Sequence, residues 1–279
     1  MRNDPPTHWN NPAHTGPKVA FDTFKHSLLL RRVTARDNGI YRCRMDFRTN
    51  PTLEYIANLT VVIPPRRLAI YTGRNVEAQS IVGPYKEGDD LQLTCLASGG
   101  TPPPKVIWWD GVSSLDEDSE VTSLEQVANT LVIKNLQRSH LYRIITCQAS
   151  NSNLTDPLFS TISIDMKFPP LWVKLLTNRE ALSAGRSYTV TCQAAGARPP
   201  ARITWALGST ILTSHSEETS HEGNVTTSEL HWSPTVADAG KVLQCRAESP
   251  SITRAPPLVD DWLLDIYCEF SQVTRSYGQ

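Results

Sequence analysis

Polar and apolar residues alternate one by one along much of this chain, most clearly in "YRCRMDFR". There Tyr41, Cys43, Met45 and Phe47 fall on one side, and Arg42, Arg44, Asp46 and Arg48 on the other. A period of two predicts an extended strand with one face toward a core, because successive side chains of a strand point to opposite faces. The segments "NTLVIKNL" (129–136) and "SELHWSPTV" (228–236) alternate in the same way. In "SLLLRRVTARDNGIYRC", Leu28, Leu30 and Val33 fit inward strand positions, and Asp37, Gly39 and Tyr41 fit a corner that leads into the next strand. No apolar run reaches the length of about 18 residues that a membrane-spanning helix needs.

The strands are written in a repeat. "CLASGGTPPPKVIW" (95–108) and "CQAAGARPPARITW" (192–205) have equal length and share the leading cysteine, a glycine, a proline pair and a closing tryptophan. Each reads as a strand, a proline-rich turn that ends pairing, and a second strand carrying a core tryptophan, Trp108 or Trp205. A further alternating strand then precedes Cys147 or Cys245. This order of Cys, Trp, strand and Cys predicts an all-β chain of tandem immunoglobulin-like β-sandwiches. The bridges expected are Cys95–Cys147 and Cys192–Cys245, with separations of 52 and 53 residues. Closing loops of that size is worth about 4 kcal/mol each in the chain-entropy model.

"VVIPPRRLAI" (61–70) and "DMKFPPLWVKL" (165–175) are equivalent outgoing strands stopped by Pro-Pro, which cannot donate to a ladder and forms a stiff junction. The expected organisation is residues 1–63 as the C-terminal part of a V-type immunoglobulin domain, then immunoglobulin-like domains at 66–166 and 170–267. Residues 268–279 read as an unstructured tail of non-native appearance. Cys43 has no cysteine before it, so its partner is expected outside this sequence, and Cys268 has no evident mate.

Composition narrows the function classes. The 279 residues carry 27 Lys and Arg against 28 Asp and Glu, a formal charge of −1, which gives no electrostatic footprint for nucleic acid. Repeated cysteine spacing favours an oxidising, extracytoplasmic setting, although "MRNDPPTHWNN" has no apolar segment of the kind a signal peptide needs. His8, His14, His26, His140, His215, His221 and His231 are scattered, and neither a G-x-S-x-G elbow nor a P-loop occurs. The acidic "SLDEDSE" (114–120) reads as a solvated loop, since it lacks the glycine and terminal glutamate of a known calcium loop. No catalytic residue, metal, cofactor or small-molecule substrate is expected, and the chain is not expected to be an enzyme.

Beyond the generic domain, "YRCRMDFRTNPT", "NLTVVIPP", "PYKEGDDLQLTC", "VIWWDG", "TCQASNSNLTDPL", "LQCRAES" and "DDWLLDI" together resemble the Sidestep family of arthropod neuronal surface receptors. The resemblance covers most of residues 8–267, and "CRAES" and "GxPxPxxxW" also occur in nephrin-like adhesion proteins. It implies the extracellular part of a type I plasma-membrane glycoprotein that serves axon guidance. Its first domain would be recognised heterophilically by a Beaten path-like immunoglobulin-superfamily protein. The sequence departs from the family by lacking a signal peptide, half of the first domain, the later domains and the span. A nephrin-like homophilic adhesion protein is the alternative.

The candidate site is the polar face of "YRCRMDFR". Arg42, Arg44, Asp46 and Arg48 would line the open sheet face used for partner docking, where arginine's planar fork suits bidentate contacts. The competing reading is a solvated face whose charges deter aggregation. Trp109, one residue past core Trp108, points to the opposite face, either as an interface anchor or covered by a neighbouring loop. Asn58, Asn153 and Asn224 head glycosylation sequons. Ile145 and Leu243 stand where a corner tyrosine would precede Cys147 and Cys245. "DAGKVLQC" has one residue more than "DNGIYRC" between aspartate and cysteine, which suggests a bulge.

Overall fold

The structure is a computed structural model that describes residues 18–22, 25, 27–47, 50–73, 75–123, 125–252 and 255–268. The strands fall in three successive groups. The first holds β1 (Val19–Asp22), β2 (Ser27–Leu30), β3 (Gly39–Met45) and β4 (Leu53–Leu59). The second holds β5 (Arg67–Thr72), β6 (Ile81–Lys86), β7 (Leu91–Ser98), β8 (Lys105–Asp110), β9 (Ser113–Asp116), β10 (Glu120–Ser123), β11 (Gln126–Ile133), β12 (Ile144–Ser150) and β13 (Leu158–Lys167). The third begins with β14 (Trp172–Leu175), β15 (Leu182–Ser183), β16 (Tyr188–Ala195), β17 (Arg202–Leu207) and β18 (Thr210–Leu212). It ends with β19 (His215–Thr219), β20 (Val225–Trp232), β21 (Val242–Glu248), β22 (Leu258–Leu263) and β23 (Ile266–Tyr267). No helix among the described residues is long and apolar enough to cross a membrane.

The described residues divide into two compact units: those up to Ala78 with 93–131 and 145–161, and those in 79–92 with 132–144 and from Ile162 to Cys268. In the first unit, β1 pairs with β2 and β3 with β4 as separate antiparallel hairpins. Leu30 is half-buried, but Leu28 and Val33 stand 42% and 44% exposed rather than inward. Among the described residues each hairpin is a two-stranded sheet of its own, so no opposing layer removes these side chains from water. Cys43 is exposed for the same reason.

The second group follows the predicted pattern closely. In β7 the burial alternates, with Leu91, Leu93, Cys95 and Ala97 fully buried. Cys95 bridges Cys147 across 6.5 Å between Cα atoms. Trp108 on β8 lies in register with Cys147 on β12, is wholly buried, and donates its indole N–H to the Asn129 carbonyl at 3.1 Å. A buried indole donor left without an acceptor would cost on the order of 1–3 kcal/mol, and the bond to β11 removes that penalty. The sheets here have strand orders β10-β11-β7-β5 and β6-β13-β12-β8-β9.

Within the second unit, the third group repeats the design. Its two main sheets, β14-β16-β20-β19 and β18-β17-β21-β22, enclose a core of Val190, Ile203, Leu230, Leu243, Trp262 and Leu264 around the Cys192–Cys245 bridge. Trp205 is in register with Cys245 and donates to the buried Ser228 hydroxyl at 3.0 Å. The bulge expected from "DAGKVLQC" lies just ahead of β21. The Gly240 N–H donates to the Leu264 carbonyl at 2.9 Å and the Leu264 N–H to the Lys241 carbonyl at 2.9 Å, so Gly240, with φ 75°, and Lys241 together oppose one residue, and β21 then pairs with β22 without a register shift. Glycine relieves the steric cost that other residues meet in that left-handed conformation.

Both Pro-Pro junctions are built alike. Ahead of Pro64, Ile63 exchanges two backbone hydrogen bonds of 2.8 Å with Thr101, which precedes Pro102 in the proline-rich turn. Ahead of Pro169, Phe168 does the same with Arg198, which precedes Pro199, at 2.7 and 3.0 Å. The prolines donate nothing, so the last residue able to pair before them does so with the next group's turn. At the second junction Arg138 donates to the Gly196 and Pro169 carbonyls at 2.5 and 2.8 Å, pairs with Glu87 at 3.0 Å, and lies over the Phe168 ring at 4.6 Å. Arg198 lies over Tyr142 at 4.9 Å and pairs with Asp165 at 2.9 Å.

Candidate partner-docking face

The face is set by the corner that starts β3. Thr34 donates its backbone N–H and its hydroxyl to the Asp37 carboxylate at 2.6 and 2.8 Å, closing a short 3-10 turn over Ala35–Asp37. These bonds, with a smaller contribution from Lys18, hold the Asp37 carboxyl below the usual carboxylate range. The Tyr41 hydroxyl then donates to the Asp37 carbonyl at 2.8 Å, making the tyrosine corner that the sequence suggests. The phase of β3 is thereby fixed: Tyr41, Cys43 and Met45 lie on one face, and Ile40, Arg42 and Arg44 on the other.

The β3–β4 register places Ile40 opposite Asn58, Arg42 opposite Ile56, and Arg44 opposite Glu54. Directly opposed side chains have Cβ atoms about 4.5–5.5 Å apart, so these six form one continuous surface. Arg42 Nη1 is 3.6 Å from Glu54 Oε1, and Arg44 Nε is 3.0 Å from Asp46 Oδ1. The Thr52 hydroxyl also donates to Asp46 at 2.7 Å, and this bond, ahead of that from Arg44, pulls the Asp46 carboxyl below its ordinary value. Two arginines and two carboxylates therefore cancel in charge, and the face is patterned rather than basic. Between them Ile40 and Ile56 are 65% and 63% exposed.

Arg42, Arg44 and Asp46 share this surface, while Arg48 lies outside the described residues. Trp109 does not join them. It projects from β8 opposite Thr146, is half-buried, and its indole N–H is buried with no hydrogen-bond partner among the described residues. Ile145 and Leu243 are fully buried, so apolar packing occupies the two positions that lack the corner tyrosine. Asn58, Asn153 and Asn224 are all exposed. Glu54, Ile40 and Ile56 escaped sequence reasoning, though "LEYIANL" carries the signal: an isoleucine stands where strand alternation demands a polar residue. No grouping of three or more His, Cys, Asp and Glu that could hold a metal occurs among the described residues.

Comparison with known proteins bears on the second and third groups of strands. Residues 75–151 match the immunoglobulin domain family, and residues 173–255 match the CD80-like C2-set immunoglobulin domain family. Cell adhesion molecule 1 of Mus musculus is 25% identical over 190 residues, covering 66% of this chain and 39% of that protein. Nephrin of Mus musculus is 25% identical over 175 residues, covering 62% of this chain and 14% of nephrin. The chain thus spans less than half the length of these relatives. A solved structure described as Dpr2 Ig1-Ig2 in complex with DIP-Theta Ig1-Ig3 superimposes with a TM-score of 0.53 at 21% identity, covering 90% of this chain and 82% of that one. The chain is accordingly one of tandem immunoglobulin domains, related to the cell adhesion molecules of the immunoglobulin superfamily.

Proposed function

We propose that this chain is a non-catalytic recognition module from the extracellular part of a type I cell-surface receptor of the Sidestep kind. It docks another immunoglobulin-superfamily protein, of the Beaten path class, through the outer face of β3 and β4. The carrying observation is the pair of exposed isoleucines, Ile40 and Ile56, set among Arg42, Arg44, Glu54 and Asp46. Surface isoleucines are unremarkable singly, but two on one sheet face, rimmed by paired charges, have the composition of an interface: apolar centre, polar rim, arginine anchors. Opposed charges on that face would fix partner register and speed encounter more than they add affinity. The Dpr2 and DIP-Theta structure is a complex of two different immunoglobulin proteins, which supports a heterophilic arrangement.

The likeness to nephrin favours a second reading, homophilic adhesion through the same face. Mixed-cell aggregation separates the two. Cells displaying the ectodomain that contains this chain, with Asn58→Gln to keep the face free of sugar, are combined with cells displaying a Beaten path ectodomain. Mixed clusters are expected; clusters of the first cells alone would favour homophilic adhesion, and no clusters of either kind would contradict both.

A further inference from the structure

We propose that Asn58 carries an N-linked glycan that stands on the docking face and blocks it, so that only molecules left unmodified at Asn58 are competent to dock. This rests on the reading of the β3–β4 outer face given above. Asn58 heads the sequon Asn58-Leu59-Thr60 and is exposed. Its phase on β4 directs it to the same face as Ile56 and Glu54, and its register partner is Ile40. Arg42 is its diagonal neighbour across the hairpin, a separation of about 7–8 Å. No hydrogen bond holds its carboxamide among the described residues, whereas Asn224 donates to Glu222 and is approached by the Ser220 hydroxyl. The chemistry needs a lipid-linked oligosaccharide as donor. The Asn58 amide nitrogen bonds to C1 of the first sugar and loses a proton, and the lipid pyrophosphate departs as leaving group. An added glycan is bulky and hydrated. Attached here, it overhangs Ile40, Ile56 and Arg42, the surface a partner must dry.

Because the modification is covalent, it sets the fraction of active molecules and leaves the affinity of that fraction alone. The test uses the ectodomain that contains this chain, secreted from a glycosylating cell, with Asn58 occupancy measured by glycopeptide mass spectrometry. Against a Beaten path ectodomain, the fraction able to bind is expected to equal the unoccupied fraction. Asn58→Gln and Thr60→Ala, which remove the glycan through different residues, are both expected to restore full stoichiometry, and Asn153→Gln and Asn224→Gln to leave it unchanged. A partner-free arm reads shielding directly: phenylglyoxal is expected to modify Arg42 several-fold more slowly in occupied molecules than in Asn58→Gln. An unmodified Asn58, full binding by fully occupied protein, or equal Arg42 reactivity would each overturn the proposal. Failure of the docking reading shows differently, as undiminished binding by Arg44→Glu in the glycan-free background.

Discussion

Asp238 shows how a single side chain ties one of these domains to pH. It accepts from the Thr235 backbone and hydroxyl at 2.9 and 2.7 Å and from Lys241 at 2.8 Å, repeating the cap that Asp37 makes with Thr34. The Lys241 bond, followed by the Thr235 backbone bond, lowers its pKa from 3.8 to about 2. A depressed folded-state value means the contribution is present above the unfolded pKa and disappears as pH falls from about 3.8 through 2. Asp238→Asn is expected to cost about 1 kcal/mol at neutral pH, as loss of a charged cap does. It should also flatten the acid limb of the third group's melting temperature between those two pH values. Parallel melts of variant and wild type check both. A second residue-scale prediction concerns Gly83, with φ 127°, where a Cβ would collide with the Asp165 backbone carbonyl. Gly83→Ala is expected to destabilise by at least about 2 kcal/mol in denaturant titration, because strain and collision add.

At the scale of elements, the hairpins and junctions differ in how far sequence exposes them. The strand carrying Cys95 and the tryptophan strand after it are legible because a disulfide and its packed tryptophan require fixed spacing, and β3 is legible because its alternation runs unbroken from Tyr41 to Met45. The Arg138 cluster is not legible. Its acceptors are backbone carbonyls 58 and 31 residues away, and a carbonyl is the same whatever residue bears it. The proposed docking face is legible by half: alternation gives Arg42 and Arg44, but their register partners Glu54 and Ile56 depend on the pairing across the loop between β3 and β4, which no local pattern specifies. The bulge in "DAGKVLQC" is legible from the count of residues, but its position is not: a left-handed glycine, Gly240, takes it up just ahead of β21, opposite Leu264. Arg138→Ala removes two charge-assisted hydrogen bonds and the contact with Phe168. It is expected to speed amide exchange at Phe168 and Arg198 on the order of tenfold or more, with amides in the Cys192–Cys245 core unchanged.

For the whole molecule, the two complete disulfide-bonded groups contrast with the first. Cys43, Met45, Leu53 and Tyr55, all from the core-facing side of β3 and β4, are exposed. Apolar faces without an opposing layer do not offset the entropy of ordering the chain. An isolated fragment of residues 1–63 is therefore expected to be unfolded, with poorly dispersed amide signals; well-dispersed signals would refute this. The polar side of the same hairpin carries the central functional claim, that Ile40, Ile56 and the paired charges dock another immunoglobulin protein. Its most direct test is the affinity of the Arg44→Glu ectodomain, in the Asn58→Gln background, for a Beaten path ectodomain. Reversing this charge beside Glu54 and Asp46 is predicted to weaken binding at least about tenfold, or 1.4 kcal/mol, with folding unchanged, whereas an affinity equal to that of the parent would contradict the account.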